Sequence, residues 1–418
     1  MGIHPISLIF YYHWLNRFSF NALAGAIDSN PGLCDLGIDL AQNPQALHKS
    51  IAANLDRRHP LVVALSMLTS QFEEMRTLMR QLRTEFGSRI KIIAGGPHPT
   101  ACPREVLASG ADIVVRGEAE ASFPELLKRI AAGLDLEDVP GVSFFQGSGA
   151  VSVPKAGHIE LDDCYSFSPK RGMFGPIEIT RGCVFACHFC QTSHIFGLHL
   201  RHRSVEKIVD HAAALRSGNR KVVRLLSPNA FSYGSADGRQ LNYDALRQLL
   251  SELRRAVSRE GRIIFAHFPS EVRPEHVNEE TLALMKEFAD NDEIVIGAQS
   301  GSQHVLNACN RSHTVASILT AVATARKHGY KVIVDFIFGL PGETASDISE
   351  TLAVIEDLLG MGARIHPHAF QPLPQTRFSA EPAAGISSAV MRAIHEFKTR
   401  RGVYINREEI LRGFESTE

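Results

Sequence analysis

Cys183-Val-Phe-Ala-Cys187-His-Phe-Cys190 places three of the seven cysteines of this chain within eight residues. A secreted disulfide framework would spread paired cysteines along the chain, whereas crowding of this kind in a reducing compartment more often indicates a bound metal. Three thiolates at this spacing fit around one face of an iron–sulfur cubane, and such clusters normally take four protein ligands. The trio therefore leaves one iron open to an outside ligand, as reactive metal sites do and structural sites do not.

The alternative for these cysteines is a structural zinc ion with His188 or His194 as the fourth ligand. Structural zinc usually combines two close cysteines with a second, distant pair. No second close pair exists, because the remaining cysteines are scattered: Cys34, Cys102, Cys164 and Cys309. We interpret those four as buried or incidental thiols and favour the iron–sulfur cluster.

The composition is that of a globular protein, with 44% hydrophobic and 21% charged residues. The formal net charge of −1 and the lack of a basic block give no reason to expect a nucleic-acid partner. No apolar run approaches the roughly 18 residues that span a bilayer, and no signal-peptide pattern opens the sequence. From these features and the length of 418 residues we expect a cytoplasmic protein of two or three domains with no membrane span.

The first 135 residues alternate short apolar runs with helical patterns. This alternation predicts an α/β domain with a doubly wound, Rossmann-like parallel sheet, whose ligands bind at the carboxyl ends of the strands. The predicted strands cover residues 6–11, 61–68, 90–94 and 113–115, with a weaker candidate at 36–40. The predicted helices cover residues 72–86 and 123–132.

The pattern changes over residues 136–175, which we interpret as a linker containing a small β-hairpin around Gly147-Ser148-Gly149. Six βα units then predict a partial (β/α)6 barrel over residues 176–375, with its functional loops at the strand carboxyl ends. Residues 376–418 are predicted to form a helical, peripheral tail. The predicted barrel strands are 177–180, 222–226, 263–267, 293–297, 332–338 and 364–370. The predicted barrel helices are 205–216, 243–258, 280–289, 315–327 and 346–359.

The cysteine motif resembles that of the radical S-adenosylmethionine (SAM) superfamily, because Phe189 precedes the last cysteine and the motif follows the first barrel strand. The resemblance implies that Cys183, Cys187 and Cys190 hold a [4Fe–4S] cluster whose open iron chelates the amino and carboxylate groups of SAM. It also implies a 5′-deoxyadenosyl radical and an electron donor such as flavodoxin or ferredoxin. Many members carry Glu where this chain has Gln299, which leaves the role of that residue open. The SAM-binding positions implied by the resemblance are Asn229, Ser270, Arg273, Gln299, Ser300, Arg311 and Gly339.

A parallel sheet ahead of such a barrel is similar to the B12-binding-domain branch of the superfamily, over nearly the whole chain. Gly95 and Gly96 have no Cβ and would leave room for the nucleotide loop of cobalamin near the backbone. The DxHxxG signature, whose His ligates cobalt in that branch, is absent, because His13 lacks the accompanying Asp and Gly. Binding of cobalamin without a protein His, and loss of cobalamin altogether, both stay open. The implied cobalamin contacts are Ser66, Leu68, Gly95, Gly96, Gly117 and Glu118.

The resemblance implies a cobalamin-dependent radical SAM enzyme that transfers a methyl group to an unactivated carbon of a small-molecule or peptide substrate. Two alternatives remain: the same cofactors used for a rearrangement, cyclisation or ring contraction without methyl transfer, and a non-enzymatic Fe–S or cobalamin protein in electron transfer or sensing. A methylthiotransferase is disfavoured, because Cys34 and Cys102 do not form the additional N-terminal cysteine set that it requires. The substrate itself cannot be derived from the sequence.

Overall fold

The computed structural model describes residues 5–147, 149–155, 157–258, 260–382, 385–399 and 403. The chain divides into two compact units, Met1–Pro176 and Ile177–Glu418. Each unit is described by itself.

The first unit is a seven-stranded sheet with strand order β2-β1-β3-β4-β5-β6-β7. Strands β1 to β5 pair in parallel, and β6 and β7 join antiparallel at one edge. The strands are β1 Ser7–Tyr11, β2 Ile38–Ala41, β3 Leu61–Ser66, β4 Lys91–Gly95, β5 Ile113–Val115, β6 Val142–Gln146 and β7 Gly149–Ser152. The helices are α1 Arg17–Asp28, α2 Pro44–Asn54, α3 Phe72–Phe86, α4 Pro97–Ala101, α5 Pro103–Ala108 and α6 Ser122–Ala132.

The central strands are apolar on both faces because helices cover both faces of the sheet. Ile9 and Val63 point into one apolar layer together with Leu78 of α3. Phe10 points into the opposite layer, where its ring stacks on Phe20 of α1 at 4.4 Å between ring centroids. This two-layered core confirms the predicted doubly wound α/β domain.

Residues 136–175, predicted as a linker, lie within the first compact unit, which runs to Pro176. The hairpin has the predicted position, with Ser148 at its turn outside the described residues, and β6 pairs antiparallel with β5. Further along, the carbonyl oxygens of Tyr165 and Phe167 lie 2.6 and 2.7 Å from where a Cβ on Gly25 would stand. Only glycine allows the chain to cross α1 at this distance.

The second unit contains six parallel strands in two groups, β12-β11-β8 and β13-β14-β15. Backbone hydrogen bonds from Val295 to Ala266 and from Val272 to Val295 connect the groups. Together they form the predicted partial barrel. The strands are β8 Ile177–Glu178, β9 Thr180–Arg181, β10 Arg201–His202, β11 Val222–Leu226, β12 Arg262–Ile264, β13 Glu293–Gln299, β14 Lys331–Phe338 and β15 Arg364–Ala369. The helices are α7 Thr192–Phe196, α8 Val205–Ser217, α9 Tyr243–Val257, α10 Glu279–Phe288, α11 Gln303–Ala308, α12 Val315–Lys327, α13 Ala345–Gly360 and α14 Ser388–Thr399.

The first and third barrel strands differ most from the prediction. The first is divided, because β8 pairs with β11 in the barrel while β9 pairs antiparallel with β10. The third ends at Ile264 rather than at residue 267. The Asn291 side chain takes over the pairing there: it accepts from the Phe265 N–H at 3.2 Å and donates to the Phe265 carbonyl at 2.9 Å.

The tail after β15 is not wholly peripheral. Phe378 is buried in an apolar cluster with Val305, Leu340 and Phe370, and its N–H donates to the carbonyl of His188 in the cysteine loop at 3.1 Å. Residues 404–418 of the predicted tail lie outside the described residues. Within the described part of the chain, none of the helices combines the length and apolar character needed to cross a membrane.

Candidate cluster and cofactor site

The cysteine loop (residues 183–190) begins after Gly182, which directly follows β9. Gly182 has a φ of +90°, and a Cβ there would lie 2.1 Å from the carbonyl oxygen of His199. Any side chain at this position would therefore collide with backbone. The N–H of Cys183 donates to the Gly197 carbonyl at 3.1 Å, so the start of the loop is fixed by the strand that leads into it and by the end of α7.

The segment that follows α11 holds the middle of the loop. The His188 N–H donates to the Cys309 carbonyl at 3.1 Å, and His188 Nδ1 lies 2.6 Å from the Ala308 carbonyl. Asn310 Nδ2 donates to the Phe185 carbonyl at 2.9 Å. These contacts hold the loop on the barrel through backbone groups, so the thiols remain available to a ligand.

The sulfurs of Cys183, Cys187 and Cys190 do not all lie within 4.8 Å of one another. This arrangement is compatible with a cubane, in which each thiolate binds a different iron.

The thiols lie in a buried environment with one cation in contact. Cys187 is buried, and Arg311 Nη1 donates to its sulfur at 3.5 Å. Burial raises the pKa of Cys183 and of Cys190, whose thiol donates to Thr192 Oγ1 at 3.3 Å. Burial disfavours the thiolate because it removes the water that would stabilise the negative charge. A bound metal cation stabilises that charge in place of water, so the thiols lose their protons when the metal binds.

A polar cradle surrounds Gly297 on β13. A Cβ on Gly297 would lie 2.8 Å from Gln299 Nε2, 3.2 Å from Glu271 Oε2 and 3.3 Å from Arg311 Nη2. Arg311 Nη2 donates to the Gly297 carbonyl at 2.5 Å, and its buried Nε has no hydrogen-bond partner within the described residues. An amide, a carboxyl group and a guanidinium therefore converge beside the Gly297 backbone, and they can come this close because residue 297 has no Cβ. This set fits a ligand that carries both amino and carboxylate groups.

Arg273 connects the cradle to the cysteine loop. Its guanidinium carbon lies 3.5 Å from the centre of the Phe185 ring, and it donates through Nε to Glu275 at 2.6 Å. Its Nη2 donates to the carbonyl of Arg311. Of the predicted SAM residues, Gln299, Arg311 and Arg273 thus lie around the cysteine loop and Gly297.

Three other predicted SAM residues have protein partners for their side chains. Asn229 Nδ2 contacts His276 Nδ1 at 2.7 Å, and the Ser270 hydroxyl donates to the Ser227 carbonyl at 2.9 Å. The Ser300 hydroxyl lies 3.2 Å from that of Thr351. These bonds shape the strand-end loops, so direct contact of the three side chains with SAM stays a prediction.

Gly339 has a φ of +79°, and its N–H donates to Glu343 Oε2 at 2.8 Å. The positive φ allows the turn after β14. Its predicted contact with SAM is likewise untested.

The sequence analysis missed a polar group in the barrel interior formed by Glu271, Asp335, His366 and His368. Burial and the adjacent Asp335 carboxylate raise the pKa of Glu271 well above its ordinary value. Burial alone would raise the pKa of Asp335, but hydrogen bonds from the two histidines bring it below its ordinary value. The available signal was Asp335 itself, an acidic residue inside the apolar run Val332-Ile-Val-Asp335-Phe-Ile-Phe338.

In the first unit, Ser66 and Gly95 are partners in the parallel register of β3 and β4. Gly96 has a φ of +100°, and a Cβ there would lie 2.8 Å from the Met67 carbonyl oxygen. The fold itself therefore requires glycine at position 96. At Gly95 the nearest atom is the Val115 carbonyl oxygen at 3.6 Å, which is an ordinary van der Waals contact, so a Cβ would fit there.

The loop after β1 lies at the same edge of the sheet as Ser66 and Gly95. Asn16 Nδ2 donates to the carbonyls of Tyr11 and Ser66, both at 3.1 Å. Leu68 is 38% exposed although it is apolar. His13 Nδ1 accepts from the Leu15 N–H at 3.4 Å, so this imidazole forms part of a local turn. An open edge with an exposed apolar side chain fits a large, partly apolar ligand.

Gly117 and Glu118 follow β5. The Gly117 N–H donates to Thr100 Oγ1 at 2.9 Å, and Glu118 contacts His158 at 3.1 Å and the Ile159 N–H at 3.2 Å. Glu118 therefore binds the segment that follows the hairpin, and its predicted contact with cobalamin stays a prediction.

Family models match both units. The model of the radical SAM superfamily matches residues 177–355, and the model of the B12 binding domain matches residues 33–127.

An uncharacterized methyltransferase, PH0819 of Pyrococcus horikoshii, is 25% identical over 323 residues, covering 74% of this chain; the chain spans 66% of that relative. The radical SAM methyltransferase TsrM of Kitasatospora setae, solved with cobalamin and a [4Fe–4S] cluster bound, superposes with a TM-score of 0.70 at 17% identity, covering 91% of this chain and 74% of TsrM. The cobalamin-dependent SAM radical enzyme OxsB, solved with aqua-cobalamin, gives a TM-score of 0.67 at 15% identity, covering 97% of this chain and 59% of OxsB. At these identities the two structures show a shared fold.

Proposed function

This chain belongs to the B12-binding-domain branch of the radical SAM superfamily, and we propose that it is a cobalamin-dependent methyltransferase that acts on an unactivated carbon of a small-molecule or peptide substrate. The observation that carries the proposal is the link between the cysteine loop and the cradle at Gly297: Arg311 belongs to the cradle and donates to the Cys187 sulfur. A structural zinc site would not need a polar cradle of this kind beside it.

Cys183, Cys187 and Cys190 would hold the [4Fe–4S] cluster. Arg311 donates to the Cys187 sulfur and would offset part of the negative charge of the cluster. Gln299, Glu271 and Arg311 would hold the amino and carboxylate groups of SAM near Gly297, since these three side chains already converge there. When bound, the cluster and SAM supply a 5′-deoxyadenosyl radical, and cobalamin supplies the methyl group. The chain itself binds and orients these groups.

We expect Gly95→Val to lose cobalamin while the first unit stays folded, because a Cβ there makes an ordinary contact with the Val115 carbonyl oxygen at 3.6 Å and the rest of the side chain would take up space that the nucleotide loop needs. Gly96→Val should unfold the unit with or without cobalamin, since its side chain meets the Met67 backbone. Cobalamin retained through gel filtration and the thermal unfolding midpoint distinguish these effects. Gly37→Val is the matched control, because no atom lies within 4 Å of a Cβ there. Cobalamin retention by a folded Gly95→Val variant would place the nucleotide loop elsewhere.

The methyl transfer is tested with SAM that carries a deuterated methyl group, a reductant and candidate substrates. We expect equal amounts of 5′-deoxyadenosine and S-adenosylhomocysteine, and a product whose mass includes the labelled methyl. A product of unchanged carbon count, formed with 5′-deoxyadenosine alone, would assign the chain to the rearrangement or cyclisation class. If the reduced, reconstituted protein released neither compound from SAM, the non-enzymatic alternative would stand.

A further inference from the structure

The interior of the barrel contains a second group of metal-ligating atoms, away from the cysteine loop. Asp335 lies on β14, and the strand register pairs it with Gly297 on one side and His366 on the other. His366 and His368 are two residues apart on β15 and therefore point to the same face of the strand. His366 Nδ1 lies 2.8 Å and His368 Nε2 lies 3.8 Å from Asp335 Oδ1. One ligand atom from each of these three residues lies within 4.8 Å of the other two.

A simple ion pair does not account for this arrangement. Asp335 is 2% exposed, and no donor in the described part of the chain reaches its Oδ2. The carboxyl group of Glu271 lies beside Gly297, whose partner in the strand register is Asp335, so two carboxyl groups share this part of the interior. Two neighbouring buried carboxyl groups need a proton or a cation to balance them, and burying them costs more than an apolar pair would. Strand β14 therefore keeps the Asp335 carboxylate buried within an apolar run, although its burial lowers the stability of the fold.

We propose that Asp335, His366 and His368 bind a divalent transition-metal ion, with Glu271 as an adjacent second carboxylate. Two imidazoles and one carboxylate are a ligand set for first-row ions such as Zn²⁺, Fe²⁺ or Co²⁺. The spread of the three ligand atoms suits one ion with bonds of about 2.0–2.2 Å to each. The His368 side chain is 40% exposed, so an ion here keeps positions open to water or to an oxygen or nitrogen donor of a substrate.

A comparable group in the first unit is His98, Cys102 and Glu105. The Glu105 side chain is 52% exposed, and its carboxylate lies 3.5 Å from Nε2 of His98, whose side chain is 5% exposed. This group has one imidazole rather than two. It serves as the internal comparison for the barrel group.

The test uses the full-length chain with Cys183, Cys187 and Cys190 replaced by Ala, so that cluster iron does not interfere. Co²⁺ is titrated by calorimetry and by its visible absorption, and bound metal is counted after gel filtration. We expect one tightly bound Co²⁺ per chain. His368→Asn should weaken binding at least about 100-fold, because it removes a direct ligand. Its ring is partly exposed, so this variant should keep its fold, which circular dichroism checks. His366→Asn should have an equal or larger effect.

His304→Asn is the matched control, because His304 pairs with Asp347 in the same unit but is 67% exposed and belongs to neither metal-ligating group. It should bind Co²⁺ with the same affinity as the parent, which is the chain that lacks only the three cluster cysteines. Binding that survives His368→Asn and is lost in Cys102→Ser would place the ion at the first-unit group and overturn the proposal. No binding by the folded parent would overturn it as well. Because the parent lacks the cluster, either result is independent of the proposed radical chemistry.

Discussion

Replacing Cys183, Cys187 and Cys190 together by Ala is expected to remove the roughly four irons and all the sulfide of the cluster and to reduce the release of 5′-deoxyadenosine from SAM to background. The loop itself should keep its conformation, because the backbone N–H groups of residues 183 and 188 and the side chain of Asn310 donate to backbone carbonyls, and these bonds do not need the thiols. Iron and sulfide content, together with chromatographic quantification of 5′-deoxyadenosine, measures the effect.

Cys309→Ala is the control for this variant. Cys309 is 1% exposed and packs in an apolar cluster with Val305, Leu340, Phe370 and Phe378, so its thiol has the surroundings of a core residue. We expect this variant to keep its iron and to lose only stability. If Cys309→Ala lost the cluster as completely as the triple variant, four thiols would hold it, and the open iron on which the account depends would not exist.

Gly297→Ala is expected to lower 5′-deoxyadenosine formation by about 100-fold or more, as misplacement by about 1 Å does in other active sites. The new Cβ would displace Gln299, Glu271 and Arg311, which are the three side chains of the cradle. All three contacts are to the ends of side chains, so the fold should tolerate the change, and iron content should remain that of the wild type. The rate under single-turnover conditions and the affinity for SAM are the measurements.

Gly360→Ala is the matched control, because Gly360 ends a helix of the same unit and no atom lies within 4 Å of a Cβ there. It should behave as the wild type. Unchanged SAM affinity and rate in Gly297→Ala would show that SAM binds away from the cradle.

The regular elements of the barrel were largely predictable because their apolar periodicity is local. Strand Val222–Leu226 and helix Val315–Lys327 have the bounds that the sequence predicts. Helix Arg17–Asp28 was missed, because its stability depends on distant partners. Asn21 Nδ2 donates to the Phe174 carbonyl at 2.9 Å, and Gly25 admits the backbone of Tyr165. A window of sequence around α1 contains none of those partners.

The same limit applies to the candidate site. The cysteines were predictable because all three lie within eight residues. The cradle at Gly297 draws on residues 271, 299 and 311, and the barrel-interior group draws on residues 335, 366 and 368. Only the strand register shows that Asp335 lies beside both Gly297 and His366.

The most direct test of the central claim is elemental analysis of the wild-type chain, purified and reconstituted without oxygen. We expect about four irons and about four sulfides per chain in the cluster, with a reduced-state electron paramagnetic resonance signal that changes when SAM is added. One zinc per chain, with no sulfide and no response to SAM, would contradict it.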